Sequence, residues 1–241
     1  MHVDSITIFF DSYTNKSMAI LQLQLGQNTS LKDPQTTELG KKIIRESILM
    51  IDTLGFEAFT FRKLSKRIES TEASIYRYFE NKHRLLVYLI TWYWAWLDYK
   101  IEYNTHHISD PTKRLDEIIK IICSEPVQDD TFPDIDEIAL GGIVIAESDK
   151  TYLTKQVDAD NEEGLFRGYK KLCHEIASTI IEINPDYPYP HALVSTVLEA
   201  ASQQLFFAQH LPALTEISEG EDPYKSNYQY LISLVFKTIQ P

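Results

Sequence analysis

The sequence predicts an all-helical fold class. From residue 36 to the end of the chain, apolar side chains recur at steps of three and four positions, and short polar or proline-containing stretches interrupt this pattern. Such spacing lines one face of a helix with apolar side chains. Stretches that alternate apolar and polar residues, as half-buried strands do, are scarce. Long helices joined by short loops are typical of helix-on-helix domains.

The bulk composition is that of a globular protein. The chain has 241 residues, of which 44% are hydrophobic and 24% charged, and a chain of this length can bury a core without disulfides. Its two cysteines, Cys123 and Cys173, show no CxxC spacing, which favours a reducing compartment. Apolar runs stay below the roughly 18 residues of a membrane span, and the first residues lack the basic segment of a signal peptide. We therefore expect a cytoplasmic protein.

Residues 1–35 differ from the rest and are expected to form a flexible N-terminal arm. The stretch ITIFF has the composition of a strand or of a merely adhesive segment, and the residues after it have loop chemistry. Met18 offers an alternative start. The arm contains only Lys16 and Lys32 as lysines or arginines, so we do not expect it to bind DNA.

Three helices are predicted in the next segment, residues 36–83. Thr36 or Thr37 is expected to cap the start of the first helix, which ends at Gly55, because glycine suits the cap after a helix. The second, shorter helix opens at Thr60 and is broken at 69–71, and the third follows directly. The apolar positions of the first helix are Leu39, Ile43, Ile44, Ile48, Ile51 and Leu54.

The remaining residues, 84–241, are predicted to form a larger helical domain. A fourth helix begins near Asn81 and continues through the aromatic stretch 88–103, which has rings on every face. This distribution favours a central buried helix, and a cavity lined by some of the rings is the alternative. Further helices are predicted near 111–124, 134–149, 159–183, 189–210 and 222–239.

The three short helices that end at Phe79 have the lengths of a helix-turn-helix unit. In such units the second helix crosses the DNA backbone and the third enters the major groove with its N-terminal end. Tight packing of the two helices explains the apolar residues Leu64 and Ile75. Small or polar residues such as Thr71 and Ser74 are left to face DNA.

The stretch TFRKLSKRIESTEASIYRYFENKHRLL, residues 60–86, resembles the DNA-binding signature of the tetracycline-repressor (TetR) family. The resemblance rests on TFR at 60–62, on IYRYF at 75–79 and on Lys82 three positions later. The chain departs from the family in the turn, where Glu69 replaces the usual glycine. We therefore expect a residue with a Cβ to hold that turn at some backbone cost.

The resemblance implies roles for individual side chains. Phosphate contacts are expected from Thr60, Tyr76, Tyr78 and Lys82, base-edge contacts from Thr71, Glu72, Ala73, Ser74 and Arg77, and Arg62 is a further DNA-binding residue. For the two tyrosines, packing against the first helix is the alternative. The N-terminus of the helix near Asn81 would add backbone N–H groups to the phosphate site.

Charge is unevenly distributed along the chain. Residues 36–86 contain ten basic and seven acidic side chains, a formal charge of +3, while the whole chain carries −12, which leaves −15 for the remainder. DNA is bound mainly through its phosphates. A basic segment on an otherwise acidic chain therefore fits a DNA-binding regulator.

The resemblance also implies a palindromic operator, a homodimer and a small-molecule effector. Helices 189–210 and 222–239 would form the dimer interface, and effector binding would move the helix that starts near Asn81 and release a repressor from DNA. No cofactor is implied. The candidate effector-binding residues are Trp92, Trp96, Tyr99, Tyr103, Phe166, Tyr169 and His174.

Two other classes of protein are left open by the sequence. A relative that has lost specific DNA binding and acts through protein contacts is favoured by the acidic Glu69 and Glu72, and disfavoured by the basic residues around them. A di-metal enzyme of the helical-bundle type needs two Glu-x-x-His motifs, and the chain has only Glu80 with His83. We therefore predict neither an enzyme nor a metal site.

Overall fold

The computed structural model describes residues 6–10, 19–23, 25, 29–128, 131–217 and 222–240. Nearly all regular structure in these residues is α-helical, which confirms the predicted fold class. The helices are α1 (Glu38–Leu54), α2 (Phe61–Arg67), α3 (Glu72–Tyr76), α4 (Lys82–Thr105), α5 (Pro111–Ile122), α6 (Glu137–Glu147), α7 (Asp149–Tyr152), α8 (Val157–Glu162), α9 (Arg167–Ile183), α10 (Pro190–His210) and α11 (Pro223–Ile239). None of the described helices is both long and apolar enough to cross a membrane.

The N-terminal residues contribute two strands. β1 (Ile6–Phe10) pairs antiparallel with β2 (Ala19–Leu23), so ITIFF follows the first of its two interpretations. Outside the described residues lie 1–5, 11–18, 24 and 26–28, and with them Lys16 and Met18. The flexible arm therefore stays a prediction.

The chain forms two compact units, and the division crosses α4 after Ala95. The first unit comprises residues 1–95 and 126–168, and the second comprises 96–125 and 169–241. The first unit thus contains the predicted DNA-binding segment together with α6, α7 and α8. The functional boundaries predicted after residues 35 and 83 stay predictions.

The two ends of α1 are fixed by its own sequence. The Thr37 hydroxyl accepts a hydrogen bond from the Gly40 N–H at 3.1 Å. Gly55 ends the helix with a φ of 76°, and its N–H donates to the Ile51 carbonyl group. A Cβ at Gly40 would overlap the backbone of Pro34, so this position requires glycine. The predicted start and the predicted glycine cap are both confirmed.

The turn between α2 and α3 holds Glu69 in the left-handed region, with a φ of 54°. Among the described residues it alone combines a positive φ with a side chain. The helices on either side start with threonine caps: Thr60 accepts from the Lys63 N–H and Thr71 from the Ser74 N–H, each at 3.2 Å. The expected strain at residue 69 is therefore present between two well-capped helices.

Two adjacent glycines bring α6 close to its neighbours in the first unit. A Cβ at Gly141 would lie 2.7 Å from the Pro126 ring, and one at Gly142 would lie 2.9 Å from the Asp52 carboxylate of α1. Interiors packed this tightly leave no room for added atoms. Burial and the nearby Asp136 carboxylate raise the pKa of Asp52, since both disfavour its charged form.

The single helix predicted over 159–183 is wrong, because the structure divides it. α8 and α9 are separated by Gly164, which has a φ of 83°. A left-handed residue ends a helix, and here the Leu165 N–H donates back to the Asp160 carbonyl group at 3.1 Å. The short helix α7, which follows Ser148, was not predicted either.

Helices α10 and α11 pack against each other in the second unit. Asn227 of α11 is fully buried and donates through Nδ2 to the Ala201 carbonyl group at 2.8 Å. Tyr228 donates to Asp116 of α5 at 2.7 Å. About half of the apolar residues of α10 and α11 are buried within the chain itself, namely Leu193, Val194, Val197, Leu198, Ala201, Leu205, Ala208, Leu231, Val235 and Ile239.

Replacing Glu69 by glycine is expected to stabilise the protein. A left-handed backbone costs a residue with a Cβ roughly 1–2 kcal/mol, and the greater freedom of glycine in the unfolded chain offsets about 0.5–1 kcal/mol of that. The free energy of unfolding in urea should therefore rise by about 0.5–1 kcal/mol. Glu69→Gln is the matched control, because it removes the charge and keeps the Cβ. An equal gain in both variants would contradict a backbone origin.

Candidate nucleic-acid interface

The helix α3 has only five residues, so its position depends on the side chains it buries. An isolated helix of this length is not stable in water. Ile75 of α3 and Phe79 just after it are fully buried, as is Leu64 of α2, and Ile68 at the end of α2 is 3% exposed. The predicted apolar contact between the two helices is therefore present, and it fixes which face of α3 remains outside.

The outer face of α3 carries most of the residues predicted to meet DNA. Thr71, Ala73 and Arg77 are exposed, whereas Glu72 and Ser74 are half-buried. Tyr76 is 48% exposed. Its ring packs edge-on against Phe61 of α2, with centroids 5.1 Å apart, so the tyrosine is both held and accessible. These residues stay candidates for DNA contact.

Basic side chains around α2 and α3 differ in their availability. Arg62, Lys66 and Arg77 are exposed and form no ion pair among the described residues. By contrast, Lys63 donates to the Ala58 carbonyl group at 2.7 Å, and Arg67 pairs with Glu46 at 2.7 Å. Arg62, Lys66 and Arg77 are therefore the basic side chains of this region that are best placed to attract phosphate.

Tyr78 requires a correction. It was predicted to contact phosphate, but its side chain is 2% exposed. Its hydroxyl lies 2.7 Å from the Thr37 hydroxyl at the start of α1, within hydrogen-bonding distance. Since α3 ends at Tyr76, the chain turns there and directs Tyr78 into the protein. The packing alternative is therefore the one observed, and the tyrosine positions α1 against α3.

Lys82 also has a different environment from the one predicted. Its ammonium group donates to the carbonyl groups of Phe56 at 3.0 Å and Glu57 at 3.2 Å, and it lies 4.5 Å from the centre of the Phe56 ring. These contacts hold the ammonium group within the protein while 34% of the side chain stays accessible, and the phosphate contact stays a prediction. The contacts form because α4 begins beside the turn that joins α1 to α2.

The start of α4 is bound to α8 by a compact charged cluster. The Asp160 carboxylate is 2% exposed and lies 3.2 Å from Nε2 of His83 and 3.3 Å from Nη1 of Arg84. Arg84 also pairs with Glu163 at 2.8 Å. His83, which formed half of the Glu-x-x-His motif, therefore has a structural partner. Among the described residues there is no group of three or more side chains suited to a metal ion.

Trp92 is the candidate effector residue that lies deepest in the first unit. It is 1% exposed, and its ring packs edge-on against Phe132 at 5.2 Å. A cavity of about 50 Å³ lies beside it, lined in part by Tyr88 and Ile135. This volume is far below the roughly 300–1,000 Å³ of a typical ligand pocket. In this conformation, therefore, Trp92 belongs to a packed core.

The other candidate effector residues are dispersed. Trp96 is 4% exposed with the Lys100 ammonium over its ring, whereas Tyr103 is 65% exposed. Exposure at this level argues against burying a ligand at Tyr103. Four candidates remain. The Tyr99 ring lies 6.0 Å from that of Tyr103 and is tilted against it, and Phe166 is half-buried. Tyr169 donates to Glu199 at 2.8 Å, and His174 is exposed and lies 3.2 Å from His191.

A charged cluster in the second unit was missed by sequence reasoning. Asp98 of α4 is buried and pairs with Lys171 of α9 at 2.8 Å. Burial and the negative charge of Asp98 raise the pKa of Glu175, which lies in the same cluster, to about 7. The only available signal was an acidic residue inside the aromatic stretch 88–103, and its partners lie more than 70 positions away.

Taken together, α2 and α3 are two short helices joined by a turn, with exposed basic side chains on α2 and directly after α3, as in a helix-turn-helix DNA-binding unit. Residues 43–89 match the family model of bacterial regulatory proteins of the tetR family. The resemblance seen in the sequence is therefore confirmed, and the chain carries the DNA-binding segment of tetR-family regulators. No curated protein matches the chain.

Solved structures of similar fold cover most of the chain. A regulatory protein of the tetR family from Rhodococcus RHA1 has a TM-score of 0.57 at 13% identity, over 84% of this chain and 97% of its own. The regulator FadR from Bacillus subtilis, in complex with stearoyl-CoA, has a TM-score of 0.55 at 18% identity, over 80% and 97%. AibR, in complex with isovaleryl coenzyme A and operator DNA, has a TM-score of 0.52 at 12% identity, over 84% and 97%. At these identities the likeness concerns the fold.

Removing the Tyr78 hydroxyl is expected to destabilise the protein. Tyr78→Phe keeps the buried ring and breaks the contact with Thr37, so the free energy of unfolding should fall by about 1 kcal/mol. Tyr76→Phe is the matched control, because that hydroxyl belongs to an exposed side chain, and it should change stability by less than about 0.5 kcal/mol. Chemical unfolding monitored by circular dichroism measures both. Loss of the same size in the two variants would contradict the inward placement of Tyr78.

Proposed function

We propose that the chain is a sequence-specific DNA-binding transcription regulator that is released from its operator by a small-molecule effector. The observation that carries the proposal is the outer face of α3, where Thr71, Ala73, Tyr76 and Arg77 are exposed. These side chains include a hydroxyl, a methyl and a guanidinium group, which match the donors, acceptors and methyl groups of a major groove. The local charge of +3 on a chain of −12 favours approach to DNA through this segment.

The proposed effector control is supported by the structures of similar fold. AibR was crystallised with isovaleryl coenzyme A and operator DNA, and FadR with stearoyl-CoA. The proposal names no effector for this chain, because the candidate effector-binding residues do not line a common pocket among the described residues. The proposal requires only that the effector bind two conformations with unequal affinity. Repression, with release by the effector, is the direction we propose.

A homodimer is part of the proposal, because two recognition helices must reach successive major grooves about 34 Å apart. The buried residues of α10 and α11 serve the chain's own core. The surface available to a second copy includes three exposed apolar side chains: Leu211 at 47% and Leu214 at 60%, which follow α10, and Tyr230 at 46% in the middle of α11. Exposed apolar groups of this kind are typical of contact surfaces.

A relative that has lost specific DNA binding is the second candidate. It is favoured by two acidic residues, Glu69 in the turn before α3 and Glu72 in its first turn. Both carboxylates repel phosphate. Glu72 can, however, accept a hydrogen bond from a cytosine amino group, which would favour particular base sequences. The two candidate functions therefore differ in whether the protein prefers any DNA sequence.

The proposal predicts salt-dependent, sequence-selective DNA binding. Fluorescence anisotropy should be measured with short duplexes that tile the region upstream of the protein's own gene, and with a scrambled duplex, across a salt series. Arg62→Ala and Arg77→Ala should each reduce the slope of log affinity against log salt by about one. In addition, Arg77→Ala should cost preference between sequences, at about 1–3 kcal/mol for a base contact.

Lys113→Ala is the matched control, because Lys113 is an exposed cation of α5, far along the chain from α3. It should leave both affinity and salt slope unchanged. Equal binding of every tiled duplex and the scrambled one would contradict the regulator and favour the second candidate. A loss of slope in Lys113→Ala as large as in Arg62→Ala would contradict the location of the interface.

A further inference from the structure

We propose that Glu147, in the last turn of α6, is a positioning residue for DNA binding, and that it acts by holding the turn between α1 and α2. The inference rests on the proposed function and adds a route by which α6 controls the DNA-binding helices. It concerns residues of the first compact unit alone.

The contact that carries the inference joins two positions 91 residues apart in the chain. The Phe56 N–H donates to Oε1 of Glu147 at 3.0 Å. Phe56 is 6% exposed and Glu147 is 8% exposed, so the hydrogen bond is shielded from water. A charged acceptor strengthens such a bond, and loss of the acceptor would leave a buried N–H group unpaired.

The same residue is held from its other side. The Phe56 carbonyl group accepts a hydrogen bond from Nζ of Lys82, the first residue of α4, at 3.0 Å. The N–H of Phe56 is therefore bound by α6 and its carbonyl group by α4. Gly55, immediately before it, has a φ of 76°, which marks the point where the chain leaves α1. Side chains of two helices that follow α3 in the chain thus fix one residue of the turn between α1 and α2.

The position of this turn determines where α2 starts. Four positions after Phe56, Thr60 caps α2, whose exposed Arg62 is a candidate phosphate contact. A displacement of the end of α6 therefore moves the start of α2 unless the Glu147 hydrogen bond breaks. This route is distinct from the predicted movement of α4. An effector that shifts α6 would alter DNA affinity through Glu147.

The second oxygen of Glu147 belongs to an ion pair, which must be separated from the hydrogen bond. Oε2 lies 2.6 Å from Nζ of Lys150 in α7, and Lys150 lies 3.2 Å from the Glu57 carboxylate. Lys150 is the more exposed member of the pair, with 40% of its side chain accessible. Water that reaches the Lys150 ammonium group screens the pair, although only 10% of the Glu147 side chain is accessible. The Phe56 hydrogen bond, rather than the ion pair, is therefore the proposed positioning contact.

Three variants of the full-length protein separate the two contacts. Glu147→Ala removes both, Glu147→Gln keeps a carbonyl acceptor for the Phe56 N–H but loses the charge, and Lys150→Met removes only the ion pair. Amide hydrogen exchange at Phe56, measured by NMR, reports on the turn. Amides of the buried residues Leu172 and Ile180 in α9 report on whether the rest of the chain is intact. Affinity for the preferred tiled duplex is measured in parallel by anisotropy.

We expect Glu147→Ala to raise the exchange rate at Phe56 and to weaken DNA binding, each at least tenfold, with exchange in α9 unchanged. Glu147→Gln and Lys150→Met should stay within threefold of the wild type in both measurements. A merely structural role would instead raise exchange throughout the chain without lowering the affinity of the folded fraction, and that result would overturn the inference. So would a Lys150→Met variant as impaired as Glu147→Ala.

Failure of the inference can be told from failure of the proposed function. Wild-type protein that prefers a duplex, together with a Glu147→Ala variant that binds it equally well, contradicts the positioning role alone. Wild-type protein without any preference contradicts the proposed function, and the positioning role in DNA binding falls with it. In that case exchange at Phe56 still decides whether Glu147 holds the turn.

Discussion

The DNA-binding unit depends on the burial of apolar side chains that hold its shortest helix, α3. Five residues of α3 cannot maintain a helix alone, so its place and orientation come from Ile75 and Phe79 buried against Leu64. Burial of those residues leaves the opposite face outside, with the hydroxyl, methyl and guanidinium groups that a major groove can accept. The exposed chemistry of α3 is therefore a consequence of its buried contacts.

A second feature is that the residues directly after α3 have different roles. Tyr78 and Lys82 belong to the run that identifies the family, yet one is bonded to Thr37 and the other to the carbonyl groups of Phe56 and Glu57. Both hold the helix-turn-helix together and to its surroundings. In our proposal, exposed cations such as Arg62 provide the attraction to DNA. A family signature thus includes residues that position the interface as well as residues that form it.

Features that depend on residues close together in the chain could be predicted from the sequence, whereas features that depend on distant residues could not. The caps Thr37 and Gly55 depend on neighbours within a few positions, and the local sequence predicted both, whereas the backbone cost at Glu69 was expected from the family resemblance. The bond between Phe56 and Glu147 spans 91 positions, and no local pattern indicates it. The break at Gly164 was missed because an isolated glycine is tolerated within a helical pattern. Effector residues were chosen by residue type alone, which cannot tell a core from a pocket.

The central claim is that DNA binds to the outer surface of α2 and α3. Its most direct test is amide hydrogen exchange of the whole protein, followed by mass spectrometry, with and without an excess of the preferred duplex. The account predicts slower exchange in peptides that cover 60–63 and 71–77, and unchanged exchange in α9 and α11. Protection confined to peptides outside α2 and α3, or no protection at a DNA concentration that saturates binding, would contradict it.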